Sequence, residues 1–262
     1  MNNALKNAMV TGATGAIGKA IARQLAESKY NVTIVAKDEV KALHTMEEIT
    51  RATGNSNVDW LLADLSRKSE IERISGNWNR PLHILINNAA ATPRHREETP
   101  EGIEMQFATN VLGYFWMINY FTPYLKQVAP SRVVNVASYW AGDLDINDLE
   151  CKQRRYNNDL VYRQSKQADR MLTAVFAEKL KSSDITVNAV HPGDVNSKLS
   201  NNLGYGGSET PDQGADTPVW AAIVKELDGV TGKYFERRRE MACPFTRDKK
   251  LMERLFRICE SY

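Results

Sequence analysis

The feature that most constrains this chain is an alternation. Short, unbroken runs of Val, Ile, Leu and Ala are each followed by a stretch with helical periodicity. The first run ends at Met9 and Val10, and beyond a glycine-rich turn Ile17, Ile21 and Leu25 repeat every four residues. Further runs at Val32 to Ala36, Val58 to Ala63, Leu82 to Ile86, Arg132 to Ala137, Ile185 to Val190 and Gly232 to Phe235 read as strands. Helices are expected over about 39–53, 69–74, 100–128 and 160–182. Strands that are apolar throughout are buried on both faces, and helical crossovers between them make neighbours parallel. The pattern therefore predicts an α/β fold: a doubly wound, seven-stranded parallel sheet of Rossmann type with helices on both faces. No repeat, low-complexity tract or linker divides the 262 residues, so a single domain over 1–262 is expected. Two segments lack periodicity, about 141–159 and 194–216. They fall beyond the carboxyl ends of strands, where such folds bind ligands, and are read as substrate loops.

Composition removes several classes of function. The 34 basic and 32 acidic residues leave a net charge of +2 and no basic stripe, so nucleic acid is not an expected partner. Cys151, Cys243 and Cys259 form no CxxC pair, which argues against a disulfide framework or structural zinc and for a reducing, cytoplasmic setting. The four histidines, His44, His83, His95 and His191, stand apart, so no protein-built metal site is expected. The amino-terminal residues lack signal-peptide character, and no apolar stretch approaches the roughly 18 residues needed to cross a bilayer, so no membrane span or anchor is expected.

The turn after the first strand reads Thr11-Gly12-Ala13-Thr14-Gly15-Ala16-Ile17-Gly18. Glycines there permit a tight turn, bring backbone amides close to a pyrophosphate and let the helix pack on the sheet, while the helix amino end favours the anion. About 20 residues on, a Rossmann domain that takes NAD carries an acid at the end of the second strand. Here Ala36 stands at that place, followed by Lys37 and Asp38. A cation beside the ribose suits a 2′-phosphate, so NADP(H) is expected in preference to NAD(H). Asp38 could still take the ribose, and a lysine at a strand end is also an ordinary solvated residue. Of the tyrosines only Tyr162 has a lysine four residues later, Lys166, which places both on one helical face. A phenol titrates near pH 10, and a neighbouring ammonium makes it a usable acid or base nearer neutrality.

Taken in order, these motifs resemble the short-chain dehydrogenase/reductase family, from about Asn7 to about Phe235. The glycine turn is similar to the family's TGxxxGxG element, although its spacing here is TGxxGxxG. Asp64 and Leu65 match the aspartate segment that meets the adenine, and Asn88, Ala89 and Ala90 lie in the run similar to NNAG. Asn110 falls at the family's asparagine, Ser138 closes the fifth strand, and Tyr162 to Lys166 has the YxxSK form. Pro192, Gly193, Val195 and Ser197 resemble the PGxVxT segment that holds the nicotinamide carboxamide. The stretches PLHILINNAA, FATNVLGYF, DLDINDLE and GKYF resemble the retinol-dehydrogenase-like branch.

The resemblance implies hydride transfer between a nicotinamide and a carbonyl or alcohol. Tyr162 would be the acid/base, Ser138 would hold the substrate oxygen, and Lys166 would lower the tyrosine pKa and bind the nicotinamide ribose. Asn110 would hold a water that links Lys166 to solvent. It also implies a homodimer or tetramer built on the apolar stripes of the 100–128 and 160–182 helices. Tyr139, Trp140, Tyr156, Leu199 and Tyr205 flank the motifs and are read as an apolar pocket, suited to a ring-bearing or long-chain substrate. Two other readings are a non-catalytic NADP(H)-binding regulatory or scaffold protein of the same fold, and a sugar-nucleotide enzyme suggested by the glycine spacing.

Overall fold

A computed structural model describes residues 5–262. The first half alternates as expected: β1 (Asn7–Thr11), α1 (Ala16–Glu27), β2 (Asn31–Ala36), α2 (Glu39–Thr53), β3 (Val58–Leu62), α3 (Lys68–Gly76) and β4 (Ile84–Asn87). A π-helical turn (Phe107–Leu112) runs into α4 (Gly113–Lys126), then come β5 (Ser131–Val136), α5 (Asn158–Leu180) and β6 (Ile185–His191). Two further helices, α6 (Lys198–Asn202) and α7 (Pro211–Ile223), lead to β7 (Tyr234–Glu236), β8 (Arg239–Met241) and α8 (Lys249–Glu260).

One sheet runs in the order β3-β2-β1-β4-β5-β6-β7-β8, parallel until the last pair. From β1 the chain winds outward to β3 and then returns beside β1 as β4, pairing Val10 with Ile86. The gap between these carboxyl ends is the topological switch point, where doubly wound sheets bind ligands. Helices α1, α2 and α7 cover one face through residues such as Ile21, Leu25 and Val219. On the other face α3, α4, α5 and α8 pack around Phe115, Phe121, Met171 and Phe176.

Four features differ from the sequence expectation. The predicted seventh strand is continued by β8, which folds back antiparallel through Arg237 and Arg238, both at positive φ. The helix expected from Pro100 begins at Met105, after Gly102 turns at φ +80°, and the Glu104 carboxylate caps its first turn by accepting the amides of Gln106 (2.9 Å) and Phe107 (2.7 Å). The segment 194–216 is half helical. Capping boxes start α6 at Ser197 with Ser200, and α7 at Thr210 with Gln213 just before Pro211. Finally, α8 lays Met252, Leu255, Phe256 and Cys259 along the α4/α5 face. The Phe256 ring lies 5.0 Å from that of Phe115 and 5.3 Å from that of Phe176, so the chain itself covers part of the stripes read above as a subunit surface.

Phe256 is buried between two helices of the catalytic half, so removing its ring leaves a cavity that rigid backbone cannot close. Phe256→Ala is expected to lower the unfolding free energy by about 3–5 kcal/mol, read from the urea midpoint at constant m-value.

Candidate active site

The cofactor motifs converge on the carboxyl edge of the sheet. The Thr11 hydroxyl accepts the backbone amides of Asn88 (2.9 Å) and Ala89 (3.1 Å), and the Asn88 side chain donates to the Thr11 carbonyl (2.9 Å). Gly12 sits at φ +65°, and a Cβ there would lie 2.7 Å from the Ala89 Cα. A Cβ on Gly18 would run into the Gly12 carbonyl, so the helix can approach the turn this closely only with glycine. Gly15 caps α1 without a side chain, and a Cβ there would meet nothing but the Gly12 oxygen at 3.3 Å. Above it lie the first-turn amides of Ala16, Ile17 and Gly18, which lack partners within the helix, and no acid stands in that turn. Thr14, Ala16 and Ile17 are half-buried around this opening. An open space, unpaired donors and the positive end of a helix fit a pyrophosphate.

At the end of β2, Lys37 is exposed and makes no ion pair among the described residues. Asp38 is the N-cap of α2: it accepts the Lys41 amide at 3.0 Å and stands 3.4 Å from the Lys41 ammonium, contacts that hold its carboxyl below the usual range. Asp64 accepts the amide (3.0 Å) and hydroxyl (2.7 Å) of Ser66, which fixes the turn carrying buried Leu65. Ala90 continues the strand end of Asn88 and Ala89. Beyond β6, Pro192 and Gly193 lead to Val195, which bridges to Glu209, whose carboxylate lies against Gly193. The Ser197 hydroxyl is the cap of α6.

Of the four expected catalytic residues, Ser138, Tyr162 and Lys166 come together, and Asn110 lies beside them against Ser165. Ser138 follows β5, its oxygen accepting the Trp140 amide at 3.1 Å. Tyr162 and Lys166 share one face of α5, which starts where Asn157 caps the Leu160 amide. Burial pushes the Tyr162 phenol well up, the Ser138 hydroxyl opposes that, and the negative charges of Asp169 and Asp159 add to it. Lys166 is 2% exposed; its ammonium donates to the Val136 carbonyl (2.9 Å) and to Asp169 (2.9 Å), and lies 4.9 Å from the centre of the Tyr114 ring. Asn110 sits in the π-helical turn. Its oxygen accepts the Ala91 amide (2.8 Å), and its nitrogen donates to the Ala91 carbonyl (3.1 Å) and the Ser165 hydroxyl (3.2 Å). The Asn110 side chain thus clamps the strand-four loop to α5.

Around the mouth, Trp140 packs against Tyr205 with ring centres 3.9 Å apart, and Tyr139 stands between Trp140 and His191. Tyr139 and Tyr205 are 40% and 39% exposed, so this is an open aromatic wall. The Tyr205 hydroxyl meets Asp159 at 3.5 Å and Asn158 donates to the Asn202 carbonyl at 3.1 Å, tying the half-buried Leu199 segment to the start of α5. Tyr156 departs from the expected wall. Its hydroxyl is bound among Gln106 (3.0 Å), Glu104 (3.2 Å) and the Pro93 carbonyl (3.4 Å).

Residues 6–206 match the family model described as short chain dehydrogenase. The chain belongs to that family. It is 32% identical to human retinol dehydrogenase 13, over 96% of this chain and 82% of that protein. With mouse retinol dehydrogenase 12 it shares 34% identity, over 97% of this chain and 85% of the relative. Among solved structures, an uncharacterised protein from Mycobacterium paratuberculosis superposes with a TM-score of 0.83 at 26% identity, covering 98% of this chain and 93% of its own. The short-chain dehydrogenase is accordingly an oxidoreductase acting between CH–OH and C=O groups with a nicotinamide cofactor. No helix among its described residues is long and apolar enough to cross a membrane.

Three residues of the dehydrogenase's site were not singled out by sequence reasoning: Asp169, Tyr114 and His191 as a half-buried neutral base. The only signal for Asp169 was its place three residues after Lys166, a spacing shared by many surface ion pairs. Burial lowers the His191 pKa from 6.5 to about 4. A histidine that resists protonation when folded but accepts it when unfolded destabilises the fold as pH falls from 6.5 towards 4. The melting temperature of the wild type should therefore drop more steeply over that interval than that of His191→Phe, which keeps a ring against Tyr139 but cannot titrate. Parallel slopes would remove His191 from the acid sensitivity.

Proposed function

We propose that this dehydrogenase moves a hydride between NADP(H) and the carbonyl or alcohol carbon of an apolar small molecule, with Tyr162 as acid/base. The observation that carries this reading is the buried Tyr162 phenol set between the Ser138 hydroxyl and Lys166, below an open aromatic wall. The α1 turn would hold the pyrophosphate, Asp64 and Leu65 the adenine side, and Lys166 with residues 192–197 the nicotinamide end. A bound nicotinamide supplies the hydride. In reduction, the Ser138 hydroxyl donates to the substrate oxygen and stabilises the developing alkoxide, while Tyr162 delivers its proton to that oxygen. In oxidation the same phenol, ionised, takes the proton back. Of the three donors on the Lys166 ammonium two are used by Val136 and Asp169, which leaves one for the phenol or a ribose hydroxyl.

Preference for NADP(H) rests on Lys37 and Asp38 together. Capping α2 occupies the Asp38 carboxylate, and the exposed Lys37 ammonium is left to meet a 2′-phosphate, a charge-assisted contact of roughly 1.5–3 kcal/mol. The wall of Tyr139, Trp140 and Tyr205 favours a flat or long apolar substrate. The three cysteines are free thiols, which supports a reducing, cytoplasmic setting. A homo-oligomer would be built on surface outside the part of α4 and α5 that α8 covers.

Two variants test the reading. Tyr162→Phe should keep NADPH affinity, measured by fluorescence titration, and lose about a hundredfold or more in turnover; surviving turnover removes Tyr162 as the acid/base. Lys37→Asp should shift the NADPH/NADH ratio of kcat/KM towards NADH by about tenfold or more, and an unchanged ratio would leave Lys37 without a role in cofactor choice. Binding of NADPH without consumption across aldehydes, ketones and quinones would instead select the non-catalytic reading.

A further inference from the structure

The ammonium next to Tyr162 is not an isolated charge. One turn along α5, Asp169 is 0% exposed and places Oδ2 2.9 Å from Lys166 Nζ. Its other oxygen, Oδ1, is buried with no hydrogen-bond partner among the described residues, where the carboxylate is anchored by Lys166 alone. The backbone around it is pinned. The Asp169 carbonyl accepts the Thr173 hydroxyl at 2.7 Å, and that oxygen in turn accepts from Asn135 of β5 at 2.9 Å. The ionisable groups facing the carboxylate are few: Lys166 and Tyr162 on its own helix, Tyr114 from α4 and Cys259 from α8. Burial raises the pKa of Tyr114, Tyr162 and Cys259, so at neutral pH all three are uncharged and Lys166 is the only counter-charge among the described residues. A carboxylate held in this way has no architectural bond that a neutral amide of the same shape could not make. What it adds is one negative charge beside the catalytic ammonium.

We propose that Asp169 is a positioning residue: it holds the Lys166 ammonium against the end of β5 and offsets its charge, and so sets the pH range in which Tyr162 exchanges its proton. This rests on the assignment of Tyr162 as acid/base. With Asp169 ionised, Tyr162 sits beside a nearly neutral pair and its phenol stays high. Burial lifts the Asp169 carboxyl from 3.8 to about 6, against the pull of Lys166. Below that value the carboxyl takes a proton and the ammonium is left uncompensated, which lowers the pKa of the phenol relative to the paired state. Asp169 therefore delays ionisation of Tyr162 at neutral and alkaline pH, which keeps the phenol charged with its proton for carbonyl reduction.

The test is Asp169→Asn in the full chain. Tyr162 is followed by NMR of isotope-labelled tyrosine, with Tyr162→Phe identifying its signal, and alcohol oxidation is followed with NADP⁺ as a function of pH. Both the Tyr162 midpoint and the alkaline-rising limb of kcat/KM should move down by about one unit or more in Asp169→Asn, and Asp169→Glu, which restores the charge, should move them back. Unmoved midpoints in the folded Asn variant overturn the proposal. The NMR midpoint does not depend on turnover, so a shift there alongside active Tyr162→Phe would refute the acid/base assignment and leave the electrostatic role of Asp169 standing. If Asp169→Asn does not fold, the wild type decides: the Tyr162 ring signal is expected to inflect as Asp169 takes its proton near pH 6, and a signal flat through that range overturns the idea that Asp169 bears on Tyr162.

Discussion

Everything at the site hangs from the junction of β1 and β4, two strands far apart in the chain that lie side by side only because the sheet winds outward and back. Their carboxyl ends are locked by one hydroxyl. Thr11 accepts the amides of both Asn88 and Ala89, and Asn88 returns a bond to the Thr11 carbonyl. This fixes the height of the glycine turn over the sheet, and with it the direction of α1 and its unpaired amides. Satisfying buried backbone groups and building an anion cradle are here a single act.

The other half of the site depends on burying charge. Lys166 and Asp169 lie among Tyr114, Cys259 and the end of β5, each the counter-charge of the other. Asn110 plays a quieter part, stitching the loop after β4 to Ser165 of α5. Phenol, serine and ammonium thus belong to two frameworks, the strand ends and the long helix, joined by a few side-chain bonds.

Much of this could be read from the amino acids. Apolar runs marked the strands because a parallel sheet buries both faces, and the glycine turn and the Tyr162/Lys166 pair stood at the spacings their chemistry requires. What stayed hidden was set by tertiary contact. Pro100 opened a helical pattern, but the turn at Gly102 and the Glu104 cap start the helix at Met105. Segment 194–216 looked structureless because its helices are short and owe their starts to polar caps rather than to apolar periodicity. Tyr156 looked like pocket lining until Gln106 and Glu104 claimed its hydroxyl. Asp169 looked like any acid on a helix, because only the packing of α8 and β5 makes it a buried one.

The seat of α8 also orders events in time. Phe115 of α4 and Phe176 of α5, the helix that carries Tyr162, both lean on Phe256. On a ribosome they would remain uncovered until residues 249–260 had emerged, long after the nucleotide half could have formed its sheet. The phosphate cradle can therefore be complete while the catalytic helix still lacks its backing, and a nascent chain would be able to grip a dinucleotide before it could use one.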